Sequence, residues 1–184
     1  MKEDFVLKTA VVFCVFKNFD STKQVFAKIR EAKPPKLYIV ADAARDRVEG
    51  EKEKVEEVRR YIEEHIDWEC EVLKNYAESN MGCGRRISSG LDWVFEREEQ
   101  AIIVEDDCVP ELSFFQYCQE MLEYYKDDDR ILMVSGNNPY SANYHGKHDY
   151  YFSKVLFIWG WATWRRAGKL YAFDLKSLPD NRKH

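Results

Sequence analysis

Three carboxylates stand in a row at Glu105, Asp106 and Asp107, directly after the apolar run of residues 101–104. Like charges this close repel and raise one another's pKa, a cost that a bound cation offsets. Mg2+ and Mn2+ take oxygen ligands, commonly one or two protein carboxylates together with substrate phosphates. Successive side chains of an extended segment alternate in direction, so the three acids need not serve one ligand. On that pattern Asp107 takes the metal, Asp106 accepts hydrogen bonds from hydroxyls such as a ribose, and Glu105 holds a nearby cation or orients the turn. A solvated acidic turn is the competing reading, and three acids alone do not exclude it. A second acidic run, Asp127–Asp129, lies between a helical pattern and a strand pattern. It reads as a solvated connector.

Other residues could join such a site. Lys17 follows the first apolar run and Asp42 ends the second. Gly82 and Gly84 precede a helical pattern, where backbone amides can meet phosphate, although a tight turn would need glycine equally. Arg85 and Arg86 could balance a diphosphate. Trp161, in WGWATW, could lay an aromatic face against a pyranose, but a buried core turn explains the same residues. His145 and His148 have ligand-like spacing in a polar loop. A hard-cation site does not need them, and solvent exposure is the favoured reading.

These residues need elements to bring them together. Residues 9–16, 36–42, 68–75, 101–104 and 131–135 read as strands, short runs rich in β-branched and aromatic residues. Between them lie amphipathic segments. Asp20, Ser21 or Thr22 caps the first, and Val55, Val58, Ile62 and Ile66 stripe the second. A third follows the glycines through Leu91, Val94 and Phe95, where Gly90 could permit close helix approach. Ser113 caps the fourth. Such alternation predicts an open, mainly parallel α/β sheet with helices on both faces. Ligands in these sheets bind beyond the carboxyl ends of the strands, where Lys17, Asp42 and residues 105–107 all fall. After Ser135 the pattern turns polar and aromatic. Residues 136–151 read as a long loop, and residues 152–166 as a strand followed by an aromatic turn.

The chain of 184 residues suits one domain with a sizeable core. Its formal charge of −5 argues against nonspecific nucleic-acid binding, which wants a basic footprint. Five cysteines without a CxxC favour reduced thiols, with Cys14 and Cys118 in the core. The polar start resembles no signal peptide, and no apolar run reaches membrane-spanning length. A cytoplasmic location is therefore expected, at most at the inner face of the membrane through peripheral association.

VVFCVFKN, YIVAD, NMGCG, IIVEDDCVPELSFFQYC and IWGWATWRR, in that order, resemble the landmarks of a bacterial family of nucleotide-sugar glycosyltransferases of GT-A fold. These look like distant relatives of the N-acetylglucosaminyltransferase I group. The resemblance covers nearly all of the chain, and EDD stands where that family has its DxD-type motif. It implies a GT-A, Rossmann-like sheet and a UDP-sugar donor with Mn2+ or Mg2+ on Asp107. Asp106 is placed near ribose and sugar, and Asp42 at the uracil. Glu105, Gly82, Arg86 and Trp161 are expected around the donor. Lys17 stands where relatives often carry arginine, which loses the bidentate fork.

The implied reaction is sugar transfer to a hydroxyl of a glycan or glycolipid acceptor. Relatives place their base beyond the tryptophan turn, where this chain has Asp174 and Asp180, and Asp174 is taken as that base. The expected organisation is a single nucleotide-sugar-binding domain over 1–184, with acceptor-side loops in 136–184 and a truncation edge at its end. Two alternatives stay open, a catalytically silent sugar-nucleotide-binding module and a Mg-dependent nucleotidyltransferase. The second lacks the expected GxxxxGK[ST] loop.

Overall fold

A computed structural model describes residues 5–139, 148–171 and 173. The elements run β1 (Val11–Val15), α1 (Phe19–Ala32), β2 (Lys36–Ala41), α2 (Glu51–Glu64), β3 (Glu71–Tyr76), α3 (Cys83–Phe95), β4 (Gln100–Glu105), α4 (Leu112–Tyr124), β5 (Val134–Ser135), β6 (Trp161–Trp164) and α5 (Arg165–Gly168). One sheet takes the order β3-β2-β1-β4-β6-β5. The first four positions are parallel, and β6 runs antiparallel to both neighbours.

All five residues of β1 are buried, because the strand is central and covered on both faces. Its alternation assigns the faces. Val11, Phe13 and Val15 join Val25, Phe26 and Ile29 of α1, Val58 and Ile62 of α2, and Phe115 and Leu122 of α4 in one cluster. Val12 and Cys14 face the other way, onto Val94 and Phe95 of α3. The expected α/β class, a mainly parallel Rossmann-type sheet with helices on both faces, is what the chain forms. The close approach anticipated at Gly90 is also present. A Cβ there would lie 2.4 Å from Val40 Cγ1, so α3 packs on β2 only with glycine at that contact.

Several local expectations shift. The aromatic turn is a strand: Trp161 registers with Ile103 of β4 and with Ser135 of β5. Residues 152–160, expected to be extended, form no strand. They are a surface segment leading into β6. Of the 131–135 run only Val134 and Ser135 pair, since β6 is the neighbour that defines that edge. The cap of α1 falls at Asn18 and that of α4 at Glu111, each without a side-chain capping bond.

Parallel strands put their carboxyl ends on one rim. Phe16 and Lys17 follow β1, Asp42 follows β2, and Asp106 and Asp107 follow β4. The sheet order places β1 between the other two strands.

Candidate functional site

The acidic triplet is built by β4 and the turn that ends it. Glu105 is the last residue of β4 and registers with Cys14 of β1. The Cys108 amide donates to the Glu105 carbonyl at 3.2 Å and closes the turn. Asp106 reaches sideways to β1, where its Oδ2 accepts the Phe16 N–H at 3.0 Å. That bond fixes one carboxylate oxygen against the strand. Burial pushes the Asp106 carboxyl above the usual range, against the Phe16 bond, which favours the ionised form. Glu105 moves up too, first from burial and then from Asp107 and Asp106.

Asp107 is exposed and makes no ion pair with any described residue. Its Oδ1 accepts the Cys108 thiol at 3.4 Å. Burial and this bond push the Cys108 thiol up to about 12, so it stays protonated and acts as a donor. The triplet thus divides, with Asp106 turned to the end of β1 and Asp107 outward, although both lie in the turn beyond β4 and not in the strand itself.

Asp42 behaves differently. It is buried, and both carboxylate oxygens are occupied. Oδ1 accepts the Ala43 and Met81 amides, each at 2.9 Å. Oδ2 accepts the Gly82 amide at 2.9 Å and the Asn80 side-chain amide at 3.2 Å. Arg59 Nη2 donates to the Asp42 carbonyl at 2.8 Å. Asp42 therefore pins the loop before α3 to the end of β2. The Gly82 amide belongs to this clamp. Gly82 has φ 77 and ψ 151, a region open essentially to glycine alone. Arg86, in the first turns of α3, is buried as well. Its Nη2 donates to the Asn75 carbonyl at 2.7 Å and to Asn75 Oδ1 at 2.6 Å, tying α3 to β3. Burial disfavours its charge, and Asp42 partly restores it. Arg86 Nε is buried without a hydrogen-bond partner among the described residues. Lys17 pairs with Glu51 at the start of α2, Nζ to Oε1 at 2.6 Å.

On the far side of Asp107 the surface opens into a cleft of about 930 Å3. It runs past Glu111 at the start of α4 and Phe114 and Tyr117 within it to Asn137, Tyr150 and Trp159. Gly136 closes its floor: its amide donates to the Gly160 carbonyl at 2.9 Å, and a Cβ there would strike the Phe114 ring at 2.4 Å. Trp161 is absent from this lining. Its ring packs on the opposite side of the sheet, with the α3 cluster. Trp159, the preceding tryptophan, is the one at the cleft.

The structure therefore brings Lys17, Asp42, Gly82, Glu105, Asp106 and Asp107 to one rim and buries Arg86 beneath it. Asp174 and His145 lie outside the described residues, and His148 is exposed. Sequence reasoning missed Glu51, Asn75 and Asn80. Each is a polar residue of a surface-type segment, and its burial or bonding arises only from the tertiary approach of α2 or α3. It also missed Trp159, whose composition is indistinguishable from that of Trp161.

Among the described residues no group of three or more His, Cys, Asp or Glu side chains is arranged to hold a metal ion. One outward carboxylate beside a second suits a divalent ion shared with a diphosphate, not one caged by protein alone.

No family model matches this sequence, and no curated protein matches it. Among solved structures, one similar chain is a mannosyltransferase from Pyrobaculum calidifontis in complex with GDP-Man and Mn2+. It has 16% identity and a TM-score of 0.49, over 72% of this chain and 36% of that one. Another is a UDP-glucose pyrophosphorylase complexed with UDP-glucose, at 12% identity and a TM-score of 0.36, over 67% of this chain and 56% of that one. This chain thus spans 36% and 56% of those proteins, and neither likeness carries a residue role or a reaction across to it.

Proposed function

We propose that this chain binds a nucleoside-diphosphate sugar, with UDP as the favoured nucleotide, and serves a metal-dependent glycosyltransferase acting on a glycan or glycolipid hydroxyl. The observation that carries this reading is the position of Asp107. It is an exposed carboxylate on the rim with no ion pair to any described residue, between the half where the Asp42 carboxylate is filled by its own chain and an aromatic cleft of about 930 Å3. Asp107 would hold Mn2+ or Mg2+ together with the donor diphosphate. The metal, when bound, neutralises charge developing on the leaving diphosphate. Asp106, with one oxygen fixed by Phe16, presents the other to donor hydroxyls. Asp42, Gly82 and Arg86 shape the floor of the nucleotide side, and Lys17 faces its phosphates. Glu105 supports the turn, while Trp161 braces β6 from behind.

The cleft beyond Asp107 suits a glycan. Its aromatic walls can stack on pyranose faces, and Asn137 can fix hydroxyls. The base must stand near the acceptor hydroxyl. Asp174 is proposed for it, with Glu111 and Asp149 as the cleft carboxylates to compare. No described helix is long and apolar enough to cross a membrane. The proposed setting is the cytoplasmic side, where a glycolipid acceptor would be met at the membrane surface.

Titration calorimetry with UDP, GDP and their sugars, with and without Mn2+, tests the reading. Saturable binding that requires the metal and weakens at least about tenfold in Asp107→Asn is expected, as loss of one metal-binding charge predicts. Metal-independent binding, or an unchanged affinity in that variant, would reject it.

A further inference from the structure

Glu51 is the first residue of α2, yet only 2% of it is exposed. A buried carboxylate needs partners, and this one has two cations. Lys17 Nζ donates to Oε1 at 2.6 Å. Arg45 Nη2 donates to the same oxygen at 2.5 Å, and Arg45 Nε to Oε2 at 2.9 Å. The Arg45 amide adds a fourth bond, to Oε2 at 2.8 Å. The group carries two positive charges against one negative, a net +1 on an otherwise acidic rim. Both cations remain partly open, with side-chain exposures of 31% for Lys17 and 51% for Arg45.

Place matters as much as charge. Lys17 directly follows Phe16, whose amide is held by Asp106. Arg45 lies three residues beyond Asp42, in the loop from β2 to α2. The cations therefore stand over the ends of β1 and β2, on the side of the acidic triplet away from the aromatic cleft. The Arg45 fork facing Glu51 uses Nε and one Nη2 hydrogen. A guanidinium has five N–H groups, so the outer Nη1 and Nη2 edge stays available for a second planar, bidentate partner. Helix capping alone would call for an acid at this position. It would not call for two cations converging on that acid from different strand ends.

We infer that Arg45 and Lys17 form the diphosphate-binding face of this site, and that Glu51 is the positioning residue that aims both cations. Arg45 restores the bidentate fork that a lysine at position 17 cannot supply. This rests on the proposed nucleotide-sugar reading and assigns its phosphate-recognising residues.

The test compares UDP and GDP with uridine and guanosine by calorimetry, in Mn2+, at two salt concentrations. Arg45→Met should weaken diphosphate binding about tenfold, the loss of one bidentate charge-assisted contact, and leave nucleoside binding unchanged. Its diphosphate affinity should also depend less on salt. Arg45→Lys, which keeps the charge and loses the fork, should fall between. Glu51→Gln raises the local charge by one, so simple Coulomb attraction predicts tighter diphosphate binding. Positioning predicts the reverse, a loss of about threefold, because both cations lose their anchor. Tighter binding in Glu51→Gln, or an Arg45→Met loss shared equally by nucleosides, overturns the inference while the nucleotide-sugar reading stands. If the unaltered chain shows no metal-dependent diphosphate binding, both fall. Should Glu51→Gln fail to fold, the two Arg45 variants decide alone.

Discussion

On the β2–β3 side of the rim, Asp42 accepts four hydrogen bonds with its carboxylate and is buried under the loop it holds. On the β4 side, Asp107 is exposed, accepts one thiol and borders an open cleft. Both acids end a strand, and in sequence they look alike. Their surroundings separate architecture from chemistry. A carboxylate whose lone pairs are filled by its own chain shapes a surface. One left outward beside like charges calls for a partner from outside. The same contrast extends to the cations. Arg86 is absorbed into Asn75, whereas Lys17 and Arg45 share one acid and keep an open side.

The sharpest way to break this comparison is at Asp42. Asp42→Asn replaces two acceptor oxygens by one acceptor and one donor, which then faces backbone amides. Unsatisfied buried amides and the lost charge-assisted bonds should cost about 3 kcal/mol. Urea unfolding measures this, and the loss should appear without any ligand. A variant as stable as the parent would show that the closed half is not closed. Gly90→Ala probes the packing beneath it. A Cβ at 2.4 Å from Val40 forces α3 off β2, at about 2 kcal/mol by the usual overpacking cost.

Asp107→Asn should do the opposite of Asp42→Asn. Its stability should stay within about 0.5 kcal/mol of the parent, as for surface substitutions generally. Nucleotide-diphosphate affinity in Mn2+ should fall about tenfold. Asp128→Asn gives the control. Asp128 holds the Arg130 amide and guanidinium at a surface turn, remote in the chain from the rim. Its substitution should leave affinity unchanged. Equal losses at positions 107 and 128 would dissolve the distinction between outward and structural acids.

The strand-to-strand logic of this rim was legible in the sequence because it depends on short apolar runs. Residues 11–15, 36–41 and 100–105 pair in parallel and carry Lys17, Asp42 and Asp107 to one edge, as expected. Gly90 was legible too, as a helix position where a side chain is missing. The direction of a side chain at the rim was not. Whether Asp42 faces a ligand or a loop depends on Asn80, Met81 and Gly82, which arrive from a segment far away in sequence. WGWATW misled for a related reason. Trp159, Trp161 and Trp164 have identical chemistry, and only the pairing of β6 with β4 decides which is exposed, braced or buried. The Glu51 cluster lay beyond pattern reading, because a charged helix start looks solvated until β1 brings Lys17 to it.

Titration offers the smallest effect and the most direct measure of the contrast. At the ends of β1 and β2, hydrogen bonds from Arg45 and then Lys17 hold the buried Glu51 carboxyl well below the usual range. Such a group contributes stability above its unfolded pKa and loses it as pH falls through the folded value. On the open side, burial raises Glu105, with Asp107 and Asp106 adding to the shift. An acid raised in the folded state penalises folding instead. The penalty is absent below the ordinary carboxylate range, grows as pH rises through it, and is complete above the raised folded value. Glu105→Gln should therefore stabilise the protein slightly at neutral pH. That gain should vanish near pH 4, where the parent carboxyl is itself largely neutral. Glu51→Gln should lose stability at neutral pH, and its difference from the parent should shrink progressively as pH falls from the ordinary carboxylate range toward the depressed folded value. Urea midpoints of both variants and the parent between about pH 2 and 7.5 resolve the two slopes. Slopes of the same sign would mean that the two halves of the rim treat their acids alike, and Asp107 would then have no stronger claim on a cation than Asp42.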